Sequence, residues 1–181
     1  RWNDTWQLPL NGAAGTHIIK RASGRYDGLV ANELACLAFY RAIGLTVPAA
    51  HAIASVGDSN EPSLIAIERY DRIEAKDVEA TSTGVRSLPP IARVHQEDMC
   101  QVTGRLPRRK YQRDGGPSVR DLAAAIRRYS VRPAIDLQDL LTAVVANVCL
   151  GNGDAHGKNF ALLHSASGAR LAPFYDVVST D

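Results

Sequence analysis

Nowhere in these 181 residues does an apolar run approach the roughly 20 residues that a membrane-spanning helix needs, so no span and no membrane partner are expected. An excess of one charge is also missing. The formal net charge is +2, too little for nucleic-acid binding by bulk electrostatics. The three cysteines, Cys36, Cys100 and Cys149, are odd in number and widely spaced. That argues against a disulfide framework and for a reducing, cytoplasmic setting. The histidines show no metal-ligand spacing with one another or with cysteine. Ser23 and Ser130 have no visible base partner, which leaves nucleophilic hydrolase chemistry with little support. There is no initiator Met, no signal-peptide pattern and no internal repeat, so a piece trimmed at both ends is expected.

What is present is an ordinary globular composition, 45% hydrophobic and 22% charged. Thr16 to Lys20 is short and β-branched and predicts a strand. Leu29 to Ile43 has helical spacing, with Gly44 placed to end the helix in a left-handed cap and Pro48 to prevent its resumption. His51–Val56 and Ser63–Glu68 predict a hairpin. Residues 73–93 are polar and mixed and predict an irregular connector. A helix is expected from near Gln96 to Gly104, and another after Ser118, a good N-cap, through Tyr129. Asp136 to Leu150 is the clearest amphipathic helix, with Asp136 as its cap. A short hairpin from Phe160 to Leu171 follows. The expected architecture is α+β and two-lobed: a small strand/helix lobe over residues 1–72, then a mainly helical lobe over 73–181.

Chemistry concentrates in Gly151-Asn152-Gly153-Asp154-Ala155-His156-Gly157-Lys158-Asn159 and the later Phe174-Tyr175-Asp176. Asp154 could orient an attacking hydroxyl and accept its proton, while Asn159 and Asp176 offer hard oxygen donors suited to magnesium. The D-x-x-x-x-N spacing alone describes a glycine-rich turn equally well. The apolar helix before it and the hairpin and Tyr-Asp after it favour the phosphoryl-transfer reading. Lys20 ends an apolar strand and could reach α- and β-phosphates, with Glu33 on the next helix holding it extended; taken alone, it reads as a solvated strand-end lysine. Glu68-Arg69-Tyr70-Asp71-Arg72 lies where the lobes would meet, a place to hold a base or a charged surface linker. The cluster Arg105, Arg108, Arg109, Lys110, Arg113 reads as a solvated loop or a phosphate contact.

These stretches, with Gln96-Glu97-Asp98-Met99-Cys100-Gln101 and Lys110-Tyr111-Gln112-Arg113-Asp114-Gly115-Gly116-Pro117, resemble the kinase domain of the HipA family, toxin kinases of bacterial toxin–antitoxin modules. The resemblance runs through almost the whole chain. It implies a protein-kinase-like fold, ATP and Mg2+, and serine/threonine phosphorylation of a protein substrate such as an aminoacyl-tRNA synthetase. It also implies a helix-turn-helix antitoxin as partner, with DNA contacted only through it. By resemblance Asp154 is the catalytic base, Asn159 and Asp176 the metal ligands, and Lys20 the phosphate lysine. Glu68, Tyr70 and Asp71 fall where adenine and ribose bind, and Gln96 and His156 match further nucleotide contacts. The family's phosphate loop, expected before Trp2, its N-terminal subdomain and its helical C-terminal region are not found here. Gly157 replaces a small side chain and is expected to loosen its loop. A catalytically inactive antitoxin-binding module and a small-molecule or lipid kinase are the alternatives.

Overall fold

The structure, a computed structural model, describes residues 6, 8–10, 13–21, 28–53, 64–74 and 91–180. Strand β1 (His17–Arg21) leads to helix α1 (Leu29–Ala42), β2 (Ala50–Ile53) and β3 (Leu64–Glu68). The three strands form an antiparallel sheet with β3 in the centre. His17 lies opposite Glu68, and Ala50 opposite Ile67. The central place of β3 follows from its composition: Ile65, Ala66 and Ile67 are all buried, so it is the only strand of this sheet apolar enough to be covered on both faces. Val30 of α1 packs on Ile65 and Ile67. Gly44, at φ 86°, closes α1, as its position predicts.

The chain then departs from the expected connector. Residues β4 (Arg72–Glu74) and β5 (Ile91–Arg93) pair as a short antiparallel ribbon; 75–90 lie outside the described residues. The helix expected from Gln96 is also corrected. His95–Asp98 is a strand, β6, and only Met99–Val102 is helical, as α2. Asp98 decides the boundary. Its carboxylate accepts from the Gln101 N–H at 3.0 Å while the Gln101 side chain accepts from the Asp98 N–H, a capping box that fixes the first turn at Met99.

Helix α3 (Val119–Tyr129) starts at Ser118, capped reciprocally with Asp121, as expected. Helix α4 (Pro133–Cys149) begins three residues before the predicted start, with proline in its first turn. Asp136 is therefore inside the helix and not its cap. It is fully buried, accepts from the Ser130 hydroxyl at 2.6 Å and the Leu171 N–H at 2.7 Å, and lies 3.0 Å from the Arg132 guanidinium. The hairpin β7 (Ala161–Ser165) and β8 (Gly168–Leu171) completes a second sheet in the order β6-β7-β8. The main core joins Met99, Leu122, Ile126, Leu140, Leu162 and Phe174. Helix α1 enters it through Tyr40, 1% exposed, whose hydroxyl donates to the Ala143 carbonyl at 3.1 Å.

Candidate active site

Between the small sheet and β6 lies a cleft of about 170 Å³, lined by Lys20, Glu68, Tyr70, Asp71, Gln96 and Asp176. Six residues singled out from the sequence, far apart in the chain, thus share one space. A larger apolar hollow of about 420 Å³ sits on the other side of the Gly151–Ala155 loop, against Val144 and Val148. It holds none of the titratable groups.

One end of the cleft is an ionic cluster. The Lys20 ammonium donates to Glu33 at 2.7 Å and to Asp176 at 2.6 Å. Burial alone would lower Lys20, but its bonds to Asp176 and Glu33 outweigh that and raise it, so it stays charged. Glu33 is 4% exposed. Burial lifts its carboxyl above the usual range, and Lys20 pulls it part of the way back. The Asn159 amide donates to the second Asp176 oxygen at 3.2 Å, while its own oxygen accepts from the His156 N–H at 3.0 Å. Asp176 has φ 59°, the only positive value at a non-glycine among the described residues. Aspartate tolerates this region better than most side chains, and such backbone strain clusters at functional sites.

Two walls support this end. Asn32 grips the backbone of Ser179 through both ends of its amide, at 3.0 and 2.9 Å. Thr180 accepts from the Gly153 N–H and donates to the Gly151 carbonyl, each at 2.8 Å. The segment after Asp176 is thereby tied both to α1 and to the loop carrying Asp154. Among the residues present, the Asp176 carboxylate and the Asn159 amide stand side by side, with the amide nitrogen toward Asp176 and its oxygen on the His156 N–H; turning the amide over would pair a carboxylate with an amide oxygen. A hard cation accepts that donor set while completing its shell with phosphate and water.

Asp154, with its side chain 47% exposed, is on the loop that leads to Asn159 and is not among the residues lining the cleft. The Tyr111 hydroxyl donates to its Oδ1, and His156 Nε2 lies 3.9 Å from the same atom. Tyr111 also meets the His156 ring edge-on at 5.0 Å. His156 is lowered by burial and by the charge of Lys110, which favours a neutral ring. It lines no part of the cleft; it backs Asp154 instead. Tyr111 was not among the residues chosen from the sequence, although it stands in the Lys110–Pro117 motif. Gly157 does not loosen the loop. Its N–H donates to the Lys110 carbonyl at 3.0 Å, and a Cβ there would lie 2.5 Å from Pro117. Glycine is what lets the loop close on the Tyr111 segment.

At the opposite end, the Tyr70 hydroxyl donates to Gln96 at 2.6 Å, and the Tyr70 and Tyr175 rings lie 5.9 Å apart. Tyr175 donates to the Lys158 carbonyl at 2.6 Å. Asp71 is held by Arg69 at 2.9 and 2.7 Å and by Arg72 at 2.6 Å. Its burial would raise it, yet the two guanidiniums overcome this and lower it. Asp71 thus shapes the connector by an internal charge triad.

Comparison with known proteins bears on the family and the fold. The HipA-like C-terminal domain model matches residues 3–181. Y4mE of Sinorhizobium fredii, named as a candidate kinase, is 40% identical over 173 residues, 96% of this chain and 38% of its own length. The serine/threonine-protein kinase toxin HipA of Shewanella oneidensis is 30% identical over 93% of this chain and 37% of its own. The solved Shewanella HipA, in complex with HipB and operator DNA, superposes with a TM-score of 0.70 at 27% identity, over 93% of this chain and 38% of that one. The Helicobacter pylori proinflammatory kinase CtkA shares the fold at a TM-score of 0.57 and 16% identity, covering 89% of this chain and 49% of that one. The chain spans about two fifths of the length of the curated relatives it matches. With a two-lobed, kinase-like α+β fold and a family match over nearly every residue, the chain belongs to the HipA-like C-terminal domain family.

Proposed function

We propose that this chain carries the nucleotide-binding and catalytic centre of a HipA-type serine/threonine protein kinase that uses ATP and Mg2+. The observation that carries the reading is the convergence of Lys20, Asn159 and Asp176 at hydrogen-bond distance, with Asp154 on the loop that delivers Asn159. In this reading residues 1–72 supply the phosphate lysine and connector, and 73–181 the catalytic loop and metal donors.

The adenine would lie between the connector and the Tyr70–Tyr175 wall, with Glu68, Asp71 and Gln96 around it. Lys20 would hold the α- and β-phosphates, and Glu33 would keep its ammonium directed into the cleft. Asn159 and Asp176 would hold the cation, which when bound neutralises charge on the phosphate oxygens. Asp154 orients the substrate hydroxyl by accepting its hydrogen bond. The hydroxyl oxygen forms its bond to the γ-phosphorus, the bond from that phosphorus to the β–γ bridging oxygen breaks, and ADP leaves. The hydroxyl proton passes to Asp154. His156, neutral and packed against Tyr111, positions the Asp154 carboxylate.

The protein substrate in this reading is a bacterial one, an aminoacyl-tRNA synthetase being the class that the family resemblance suggests, and the outcome is growth inhibition. The Shewanella relative is recorded with HipB and operator DNA. By analogy a helix-turn-helix antitoxin is the proposed partner, with DNA reached through it. Among the described residues no helix is long and apolar enough to cross a membrane, and a cytoplasmic site of action is part of the proposal.

The test uses the full-length protein. Calorimetry should show magnesium-dependent ATP binding that Asp176→Ala weakens. Transfer of labelled phosphate to protein should vanish in Asp154→Gln while ATP still binds. No ATP binding, or labelling that survives Asp154→Gln, would overturn the assignment.

A further inference from the structure

Strand β6 carries a second set of chemistry-bearing residues on the face turned away from the cleft. Gln96 reaches Tyr70 on one side of the strand; His95 and Glu97, one residue before and after it, point to the other. The antiparallel register sets His95 directly opposite His164 of β7. One ligand atom from each of His95, Glu97 and His164 lies within 4.8 Å of the other two. His164 Nε2 is 2.9 Å from Glu97 Oε2, and His95 Nε2 is 3.9 Å from the same oxygen. The sequence shows no metal-ligand spacing among its histidines. Strand pairing corrects that reading by bringing together two that are far apart in the chain.

The details distinguish this group from a simple surface ion pair. His164 Nε2 is shut off from water and forms no hydrogen bond, its nearest acid oxygen being Glu97 Oε2 at 2.9 Å. A ring nitrogen without solvent or a hydrogen-bond partner is costly unless something else engages it. Two imidazoles and a carboxylate are the donor set of open zinc sites. Tetrahedral bonds of that type place neighbouring ligand atoms roughly 3.3 Å apart, between the two separations seen here. The His95 side chain is 70% exposed, so a fourth position is open to water.

We propose that His95, Glu97 and His164 form a binding site for a divalent transition metal of the zinc class, separate from the Asn159 and Asp176 donors. The ion cross-links β6 to β7. Through β6 it fixes the register of Gln96 on the opposite face, and through β7 it anchors the strand that leaves the Asn159 loop.

Full-length protein without an affinity tag is titrated with zinc in the presence of excess magnesium. Cobalt(II) is then bound in place of zinc as a spectroscopic probe. One zinc per chain is expected, undisturbed by magnesium, with cobalt absorption typical of a four-coordinate nitrogen and oxygen field. His95→Ala and His164→Ala should each weaken zinc by at least ~10-fold, since even outer partners of a ligand are worth roughly 10–100-fold. Zinc should raise the melting temperature of the parent protein and not that of either variant. Because His95 is exposed, its variant folds and keeps the comparison clean. Failure to bind excess zinc, or equal binding by the His95/His164 double variant, would overturn the site.

Discussion

Lys20 and Asp176 meet across the cleft, Nζ to Oδ1 at 2.6 Å, and Glu33 takes the other side of the same ammonium at 2.7 Å. The lysine therefore links the buried acid of α1 to the proposed cation donor. Lys20→Met and Glu33→Gln should each weaken ATP binding, and the double variant should lose less than the sum. A coupling of about 0.5–1 kcal/mol is expected, at the low end for contacting residues because Lys20 is partly exposed. Additive losses in a double-mutant cycle would show that Glu33 does not act through Lys20.

Tyr111 donates to the carboxylate that the proposed chemistry uses. Tyr111→Phe removes the donor and keeps the ring against His156. The expected result is unchanged ATP affinity with a fall in kcat of roughly 10-fold, the size of a lost positioning hydrogen bond of about 1.4 kcal/mol. Steady-state kinetics decide it. A change confined to the KM for ATP would place Tyr111 in nucleotide binding instead.

Gly157 is a packing requirement. Gly157→Ala pushes a Cβ to 2.5 Å from Pro117 Cγ and 3.0 Å from Cys100 Sγ. Overpacking of this kind costs about 1–3 kcal/mol, visible as a lower urea midpoint. Gly28, with nothing within 4 Å of a Cβ, is a control for crowding: there alanine meets only the penalty of its left-handed backbone. A Gly157→Ala protein as stable as the parent would mean that the loop does not close on the Tyr111 segment.

Asp71 gives a pH signature. Its folded pKa is depressed, with burial overcome by Arg69 and Arg72, from an ordinary value of 3.8. Its contribution to stability is therefore fully present above that value and is lost as pH falls through the lower folded value. Asp71→Asn should cost about 3 kcal/mol at neutral pH, and the gap to the parent should narrow as pH drops below 3.8. Denaturant melts across that range read the difference directly. A gap that stays constant with pH would assign the cost to shape and not to charge.

Helix α1 and the start of α3 were legible because their signals are local: an apolar spacing ended by Gly44, and Ser118 with Asp121 three residues on. Asp154, Asn159 and Asp176 stand out in the sequence because few chemistries need that trio, and the structure sets Asn159 against Asp176. Strand β6 was not legible, since His95-Gln96-Glu97-Asp98 has no apolar alternation and becomes a strand only by pairing with Leu162 and Leu163 of β7. The β4–β5 ribbon is three residues long on each side and is likewise a tertiary product. Asp136 looked like a cap because acids favour the first turn, but its partners Ser130 and Leu171 come from either end of a loop and a strand. Tyr111 escaped notice because its acceptor, Asp154, is distant in sequence.

Neighbouring residues of α1 hold two different objects. Asn32 clasps the backbone of Ser179, and Glu33 holds the Lys20 ammonium. The helix is thus a common axle for the phosphate lysine and for the segment that carries Asp176. A shift of α1 along or about its axis would move both at once, so the two halves of the cleft engage or disengage together.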